Sequence, residues 1–202
     1  MNLLNTVAGH FRPQRMQMFV RLLGITPSTT VLDVGGGAAN WAICPVQPRI
    51  TILNLDSNIY VNGFQLVCGD ATKMPFVDRQ FDVIFSNSVI EHLYTPGRQK
   101  KFADEVTRVG NHYFIQTPDY WFPVEPHYLT PFVQFVPRDC KPWVHRWLTL
   151  RGWMDKPSKD TCVEWSDEIR LLRAREMRAL FPKATLVRER AFGLSKSLIA
   201  VG

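Results

Sequence analysis

A glycine-rich segment has the residue types that bind the carboxylate of a small ligand. The apolar run Thr30–Val34 contains Asp33 near its end and leads into Gly35, Gly36 and Gly37. Glycines at 35 and 37 are expected to adopt positive φ and to leave room for a ligand, while the N–H groups and dipole of a following helix favour its carboxylate. Glycine loops also form turns that bind nothing, so this loop predicts a site only in combination with other motifs.

Two acids follow the glycine loop at the ends of further apolar runs. Asp56 ends the run Thr51–Asp56, nineteen residues past Gly37. A Rossmann-type site has a carboxylate at this spacing, where it accepts hydrogen bonds from both ribose hydroxyls. Asp70 and Ala71 follow a third apolar run, where Asp70 could accept a hydrogen bond from the exocyclic amine of an adenine. The alternative for Asp70 is an Asx-turn that only shapes the loop.

A fourth apolar run delivers polar groups at its carboxyl end. Phe81–Ser86 is followed by Asn87 and Ser88 and then by Glu91 and His92. Ligands in open α/β sheets bind at the carboxyl ends of the strands. The sequence therefore predicts that this run belongs to the same ligand site as the glycine loop.

In chain order, these segments resemble the class I S-adenosylmethionine (SAM)-dependent methyltransferases, in the branch that includes the quinone-biosynthesis enzymes. The resemblance covers residues 30–117 and the final helix and strand pair. It implies SAM as the cofactor, with the glycine loop at the methionine end, Asp56 at the ribose and Asn87 near the sulfonium. The residues that it implies for cofactor binding are Asp33, Gly35, Gly36, Gly37, Asp56, Asp70, Ala71, Asn87 and Ser88. Ala39 departs from the family, which has a third loop glycine there.

Two other functions remain open at this point. An NAD-dependent oxidoreductase also needs a glycine turn and a later acid, but its Gly-x-Gly-x-x-Gly fingerprint would require glycine where this chain has Asn40. The later motifs that end in Asp70 and His92 also have no place in that fingerprint. A non-catalytic SAM-binding partner protein is the second alternative, since the binding motifs alone do not distinguish it from an enzyme.

The acceptor is expected to be a small molecule. Methyltransferases that act on base amines of DNA carry an Asn/Asp-Pro-Pro-aromatic motif after the fourth strand, whereas this chain continues from Ser86 to Val89 without proline. A base taken out of a duplex is therefore disfavoured, and nucleic acid is not an expected partner. The expected acceptor atom is an oxygen of a sugar, a lipid-linked or a quinone-like molecule.

A proline-rich aromatic segment is expected to line the acceptor pocket. It runs from Gln116 to Tyr128 and resembles, more weakly, a segment of bacterial methyltransferases associated with envelope or polysaccharide synthesis. If the acceptor is a hydroxyl, a general base is useful, and His127 is the first candidate. Glu125 is a substitute and His92 comes second; a purely structural role is the alternative for both histidines.

Hydrophobic patterning predicts a single α/β domain that spans residues 1–202. Apolar runs alternate with helical stretches over 30–117, which is typical of βαβ units, and strands are expected at 30–34, 50–55, 65–68, 81–86 and 113–116. Residues 1–29 are predicted to form a helical cap, with a helix over 14–23. A helix capped by Ser166 and strands at 184–190 and 197–201 complete the prediction. The resemblance implies a Rossmann-like, mostly parallel seven-stranded sheet with helices on both faces, its last strand antiparallel, and an insert over 118–165 after the fifth strand.

Charge is concentrated at the C-terminal end of the chain. The formal net charge is +6, and residues 138–202 carry fourteen Lys/Arg against eight Asp/Glu. This is typical either of a solvated basic helix face or of a surface that attracts anionic partners. The insert could accordingly make peripheral contact with a membrane or a lipid-linked substrate. The residues involved would be Trp121, Phe122, Phe132, Phe135, Trp143 and Trp147, together with Arg138, Lys141, Arg146 and Arg151.

Four dispersed cysteines predict no metal site and no disulfide framework. Cys44, Cys68, Cys140 and Cys162 form no Cys-x-x-Cys pair and have no histidine at zinc-ligand spacing. The first ten residues lack the features of a signal peptide, and a cytoplasmic location is expected. The sequence carries no signal for oligomeric state.

Overall fold

The structure is a computed structural model, and it describes residues 3–59, 61–125, 130–167 and 169–202. Most of the strands in this part of the chain form one sheet, in the spatial order β3-β2-β1-β4-β5-β9-β8, and β6 pairs with β7. The strands are β1 (Thr30–Val34), β2 (Arg49–Asn54), β3 (Gln65–Cys68), β4 (Phe81–Asn87), β5 (Gly110–Pro118), β6 (Val124–Glu125), β7 (Thr130–Pro131), β8 (Thr185–Ala191) and β9 (Leu194–Val201).

The sheet places the carboxyl ends of its first five strands at one edge. β1 pairs in parallel with β2 and β4, β2 with β3, and β4 with β5. β9 lies antiparallel between β5 and β8. The predicted seven-stranded, mostly parallel sheet is therefore confirmed, with strand ends within three residues of the predicted ones.

Helices cover both faces of this sheet, as predicted. On one face, α1 packs Phe19 against Phe85 and Phe114, with ring centroids 5.0 and 5.5 Å apart. On the other face, Phe102 of α3 and Met177 of α7 are fully buried in a second cluster. The helices are α1 (Leu3–Leu23), α2 (Ala38–Trp41), α3 (Pro96–Val109), α4 (Lys141–Leu148), α5 (Leu150–Asp155), α6 (Lys159–Asp167) and α7 (Ala174–Leu180). None of the described helices is both long and apolar enough to cross a membrane.

The predicted helix start at Ser166 is wrong. α6 continues through this residue, and α7 begins only at Ala174. Between them the chain is extended, because Arg170 N–H donates to Glu91 O at 2.8 Å and Leu172 bridges Asp119 beside the sheet. Backbone pairing with distant segments thus takes priority over the local capping pattern on which the prediction depended.

A buried ion pair attaches α1 to the far side of the sheet. Arg15 donates to both carboxylate oxygens of Glu189 on β8, at 3.1 and 2.6 Å, and the two side chains are 7% and 8% exposed. The same guanidinium donates to the side chains of Asn87 and Gln116 at the ends of β4 and β5. Lys196 Nζ donates to Glu189 at 3.2 Å. We name Arg15, Asn87, Gln116, Glu189 and Lys196 the arginine cluster. It joins α1 to β4, β5, β8 and β9.

We expect Arg15→Met to lower the free energy of unfolding by about 3–5 kcal/mol, because it leaves the Glu189 carboxylate buried without its bidentate partner. Urea unfolding followed by circular dichroism measures the change. The matched control is Lys100→Met, which removes an ion pair with Asp104 whose side chains are both 60% exposed and should cost less than about 1 kcal/mol. Equal losses in the two variants would contradict a stabilising role for the arginine cluster.

Candidate functional site at the carboxyl edge of the sheet

Asp33 is a fully buried acid at the carboxyl end of β1, the central position of the edge. Its Oδ2 accepts a hydrogen bond from Trp41 Nε1 at 2.8 Å, while its Oδ1 has no hydrogen-bond partner. Burial raises the pKa of Asp33 to about 7, although the Trp41 hydrogen bond lowers it in part. A buried acceptor without a partner is costly, and it suits a ligand that brings a donor or a cation.

The glycine loop folds directly over this carboxylate. A Cβ on Gly36 would lie 1.9 Å from Asp33 Oδ2, so only glycine fits there. Gly35 has φ of +71°, which confirms the expected left-handed backbone. Gly37 has φ of −160°, an extended conformation that any residue adopts, so the prediction of positive φ is wrong for Gly37. The loop is held to β2, because Asn54 Nδ2 donates to Gly36 O at 3.1 Å.

The helix after the loop is much shorter than expected. α2 has four residues, and two prolines, Pro45 and Pro48, follow it before β2. So short a helix has little macrodipole, and a helix dipole therefore contributes little here. Gly35 N–H already donates to Leu53 O at 2.7 Å, so the N–H groups of Gly36 and Gly37 are the available loop donors. Ala39, which departs from the family glycine, lies exposed in this helix and crowds no buried neighbour.

Asp56 lies exposed just beyond β2, in a turn shaped by side-chain hydrogen bonds. Its Oδ1 accepts from Asn58 N at 2.8 Å, and its own N–H donates to Asn54 Oδ1 at 3.1 Å. Asn54 therefore binds both the glycine loop and the Asp56 turn, and it fixes one relative to the other. Sequence reasoning missed Asn54, because an asparagine inside an apolar strand carries no motif of its own.

Asp70 forms the Asx-turn that was the alternative for this residue. Its Oδ1 accepts from the N–H and hydroxyl of Thr72, at 2.7 and 2.8 Å, and Arg98 of α3 pairs with Oδ2 at 3.1 Å. Partial burial raises the pKa of Asp70, but the Thr72 hydrogen bonds and the Arg98 charge outweigh it and lower the pKa. Ala71 packs partly buried against the core. The carboxylate is thus ionised, and its predicted contact with an adenine stays a prediction.

Asn87 and Ser88 connect this edge to the arginine cluster. Asn87 Oδ1 accepts from Arg15, and Ser88, at φ of +58°, forms a hydrogen bond with Gln116 Oε1 at 3.0 Å. Arg15 was missed at the sequence level, because its partner Glu189 is 174 positions away. The two predicted sulfonium-side residues are therefore held by a rigid polar network.

Glu91 and His92 point in different directions from a single 3₁₀ turn. Glu91 is fully buried and accepts from Thr117 Oγ1 at 3.0 Å, whereas the His92 side chain is exposed. The turn thus buries its acid against the carboxyl end of β5. A catalytic role for His92 stays a prediction.

A half-open cavity of about 370 Å³ lies between the insert and residues 169–176, close to the carboxyl end of β5. It lies beside Tyr120, whose N–H donates to Leu172 O at 3.1 Å. The described residues that line it include Tyr120, Glu125, Lys141, His145, Trp165, Arg170 and Arg173. The predicted candidate Glu125 is 2% exposed in the cavity wall, whereas His127 lies outside the described residues.

His145 of α4 is a second titratable residue of this cavity that the sequence did not indicate. The residue is 1% exposed. Burial, together with the charges of Lys141 and Arg151, lowers its pKa to about 4 against the opposing charge of Glu125. His145 is therefore neutral at pH 7. No local motif marks it, because its helix is brought over the sheet only by the fold of the insert.

Cations and aromatic rings dominate the remaining wall. Arg170, Arg173 and Lys141 face the cavity together with Glu125 and Glu176. The Arg173 guanidinium lies 4.5 Å from the ring centre of Tyr120. Such a wall can bind a flat or an anionic molecule. Among the described residues, no group of three or more His, Cys, Asp or Glu side chains could hold a metal ion.

Comparison with known proteins gives a match for the first part of the chain. Residues 24–112 match a family model described as a methyltransferase domain. An uncharacterized protein of Mycobacterium tuberculosis is 34% identical over 80 residues, which are 40% of this chain and 27% of that protein. A candidate methyltransferase of Encephalitozoon cuniculi is 36% identical over 86 residues, 42% of this chain and 41% of that protein. The chain thus spans less than half the length of these curated relatives.

Solved structures extend the likeness to the whole fold. The magnesium protoporphyrin IX methyltransferase of Synechocystis PCC 6803, with bound SAH, has a TM-score of 0.60 at 11% identity and covers 100% of this chain and 88% of that one. The Rossmann-like methyltransferase fold is therefore confirmed, and the matched residues 24–112 contain the glycine loop, Asp56 and Asp70.

We expect Asp33 to make the ligand-free protein less stable as pH rises between about 4 and 7. Over this window the folded state keeps a proton on Asp33 that the unfolded state has released, so the contribution of this residue to the free energy of unfolding falls by up to about 1.4 kcal/mol per pH unit. His145, whose pKa is lowered to about 4, contributes a slope of the opposite sign below about pH 6.5. Asp33→Asn should remove the Asp33 part of the slope and stabilise the protein at pH 8, as measured by urea unfolding from pH 5 to 8.

The control for this series is Asp82→Asn. Hydrogen bonds from the N–H and hydroxyl of Thr30 lower the pKa of Asp82, so its own contribution is lost only in more acidic solution, and the slope from pH 5 to 8 should stay. A slope that is equal in Asp33→Asn and in the unmodified protein would show that Asp33 ionises normally.

Proposed function

We propose that this chain is a SAM-dependent methyltransferase that acts on a small-molecule acceptor. The observation that carries the proposal is Asp33, a buried carboxylate with one unpartnered oxygen beneath a loop that must be glycine at position 36. The match of residues 24–112 to a methyltransferase domain supports it. The Synechocystis enzyme of the same fold, whose structure contains SAH, supports SAM as the cofactor.

The residues present fit this cofactor. The ammonium at the methionine end of SAM is a cationic donor, which Asp33 Oδ1 lacks within the protein. Gly36 and Gly37 can supply N–H groups for the carboxylate, since Gly35 N–H donates to Leu53 O. Asp56 would accept hydrogen bonds from the ribose hydroxyls. Asp70, with its ion-pair partner Arg98, would border the adenine. When bound, SAM supplies a methyl group that is already activated by the sulfonium.

The protein's task is then to place the acceptor and exclude water. Holding two reactants in line can contribute roughly 7–11 kcal/mol to lowering a barrier. The insert cavity, at the carboxyl end of β5, is the place where this fold can hold an acceptor, and its aromatic and cationic wall suits the oxygen of a sugar, a lipid-linked or a quinone-like molecule. The likeness of the motifs to quinone-biosynthesis enzymes supports the quinone-like class. The weaker likeness of residues 116–128 to methyltransferases associated with envelope or polysaccharide synthesis supports the sugar and lipid-linked classes.

Glu125 and His127 are the proposed general bases for a hydroxyl acceptor. Glu125 lies in the cavity wall with neutral His145, which can hold a hydrogen bond without competing for the acceptor's proton. His127 follows Glu125 by two residues. His92, exposed at the end of β4, is the third candidate. An attacking oxygen would pass its proton to one of these groups as the methyl group is transferred.

We expect SAM and SAH to bind the folded protein in the micromolar range and to raise its melting temperature. Asp56→Ala should weaken SAM binding by about 1.5–3 kcal/mol, because it removes hydrogen bonds to a charged group, and isothermal titration calorimetry measures this. The matched control Asp160→Ala removes an exposed acid of the insert and should leave the affinity unchanged.

Three results would contradict this scheme. Heat on titration with NAD but not with SAM would favour the oxidoreductase. Unchanged SAM affinity in folded Asp56→Ala would remove that residue from the site. Tight SAM binding without methyl transfer to any sugar, lipid-linked or quinone acceptor, tested with radiolabelled SAM, would favour a non-catalytic SAM-binding protein.

We expect Glu125→Gln or His127→Ala to lower single-turnover methyl transfer by roughly 10²- to 10⁴-fold, with SAM affinity nearly intact, because a general base contacts the acceptor and not the cofactor. The reaction would be followed by rapid quench on the acceptor that the radiolabelled screen identifies. His92→Ala is the comparison at the exposed position. Full activity in both Glu125→Gln and His127→Ala would show that neither is the base.

A further inference from the structure

Three tryptophans project into solvent from two short helices of the insert. Trp143 and Trp147 lie one turn apart on α4 and Trp153 lies on α5, and they are 60%, 53% and 70% exposed. Further large apolar side chains are exposed on the same two helices: Leu148, Leu150 and Met154. Exposed indoles at this density are rare on a water-facing surface and mark an interaction site.

The helix pair that carries the indoles is closely packed. A Cβ on Gly152 would lie 1.8 Å from His145 O, so α5 contacts the backbone of α4 directly. Thr149 caps α5, with its Oγ1 accepting from Gly152 N at 2.9 Å. Trp153 Nε1 donates to Trp147 O at 2.7 Å and thereby orients its ring beside the second indole. The surface is therefore preformed.

Trp147 and Trp153 form the walls of a shallow, largely apolar groove. Its volume is about 460 Å³, and Arg146 and Lys156 line it together with the two indoles. The Arg146 guanidinium lies 5.2 Å from the ring centre of Trp147. We name the surface formed by Trp143, Trp147, Trp153, Arg146 and Lys156 the indole face.

The charge of the segment selects among possible occupants. Residues 141–156 contain four Lys or Arg and one acid, Asp155, and Asp155 is paired with Arg151 at 3.4 Å. A symmetric contact with a second copy would bring these like charges together. An anionic surface would complement them.

We propose that the indole face binds the surface of an anionic lipid bilayer. Indoles favour the headgroup region, where the ring is in an apolar environment and its N–H is near water. Arg146 and Lys156 lie beside the indoles, where they meet lipid phosphates, and each cation strengthens binding about fivefold. The contact is peripheral, because no described helix can span a membrane. This inference is independent of the proposed methyl transfer.

The test is cosedimentation of the full chain with sucrose-loaded vesicles. Vesicles of equal parts phosphatidylcholine and phosphatidylglycerol should bind the chain at least tenfold more strongly than pure phosphatidylcholine, and roughly 0.5 M salt should remove most of the difference. Brominated lipids should quench tryptophan fluorescence in the bound state. Equal binding to both vesicles, or no binding to either, would overturn the proposal.

Matched variants separate the two parts of the indole face. Replacing Trp143, Trp147 and Trp153 by glutamine should lower partitioning into anionic vesicles at least tenfold, and Arg146→Gln with Lys156→Gln should lower it by a similar factor. The control for the indoles is Phe192→Gln, which changes a fully exposed aromatic residue elsewhere. The control for the cations is Arg178→Gln with Lys183→Gln, two exposed cations outside the insert.

Further measurements keep the result interpretable. Circular dichroism and urea unfolding check that each variant is folded. If the triple variant does not fold, quenching of the unmodified chain by brominated lipid tests the proposal without it. Binding that persists unchanged in the folded triple variant would overturn the proposal. Self-association of the unmodified chain that the triple variant loses, seen by sedimentation velocity without vesicle binding, would assign the face to a second copy instead.

Discussion

The buried carboxylate of Asp33 constrains the whole carboxyl edge of the sheet. It lies at the end of β1, the middle one of the five parallel strands, and its oxygens occupy the space where any side chain on Gly36 would fall. Position 36 of the loop must therefore be glycine. Trp41, which donates a hydrogen bond to Asp33, belongs both to the short helix after the loop and to the core against α1. Burial of this acid destabilises the fold by itself, as its raised pKa indicates. A ligand that donates a hydrogen bond to Asp33 Oδ1 would offset this destabilisation.

The two parts of the proposed site lie on different parts of the fold and are joined by the arginine cluster. The glycine loop, Asp56 and Asp70 occupy the ends of β1, β2 and β3, whereas the cavity proposed for the acceptor lies close to the end of β5. Between them, Asn87 at the end of β4 accepts from Arg15. Arg15 also binds Glu189 on β8. The ends of β4 and β5 are therefore held by residues from both the N-terminal and the C-terminal part of the chain. The position of the glycine loop relative to the cavity thus depends on the complete domain.

Local patterns predicted the sheet well and the polar contacts poorly. Apolar runs bounded by Gly, Asp and Asn located β1 and β3 to the residue. β1 is mostly apolar because both faces of this strand are buried, whereas β3 is a partly exposed strand at the end of the sheet. The positions of Gly35, Asp56 and Asp70 followed from motif spacing. The partners of Arg15 and the burial of His145 could not be predicted, since each depends on residues brought together only by the complete fold. The prediction of a helix start at Ser166 depended on a local capping pattern. It was wrong because contacts with the distant residues Glu91 and Asp119 hold the following segment extended.

The bridge between Asp119 and Leu172 has a consequence for how such a chain can diversify. These two residues are paired in space, and no strand of the seven-stranded sheet comes from the residues between them in the sequence. The segment over 120–171 is therefore a loop whose ends are already closed, and the entropic penalty for changing its length is small. Substitution, insertion or exchange within this segment can therefore alter the cavity and the exposed surface while the strand order and the glycine loop stay the same. Variation of the segment and folding of the sheet are thus separable.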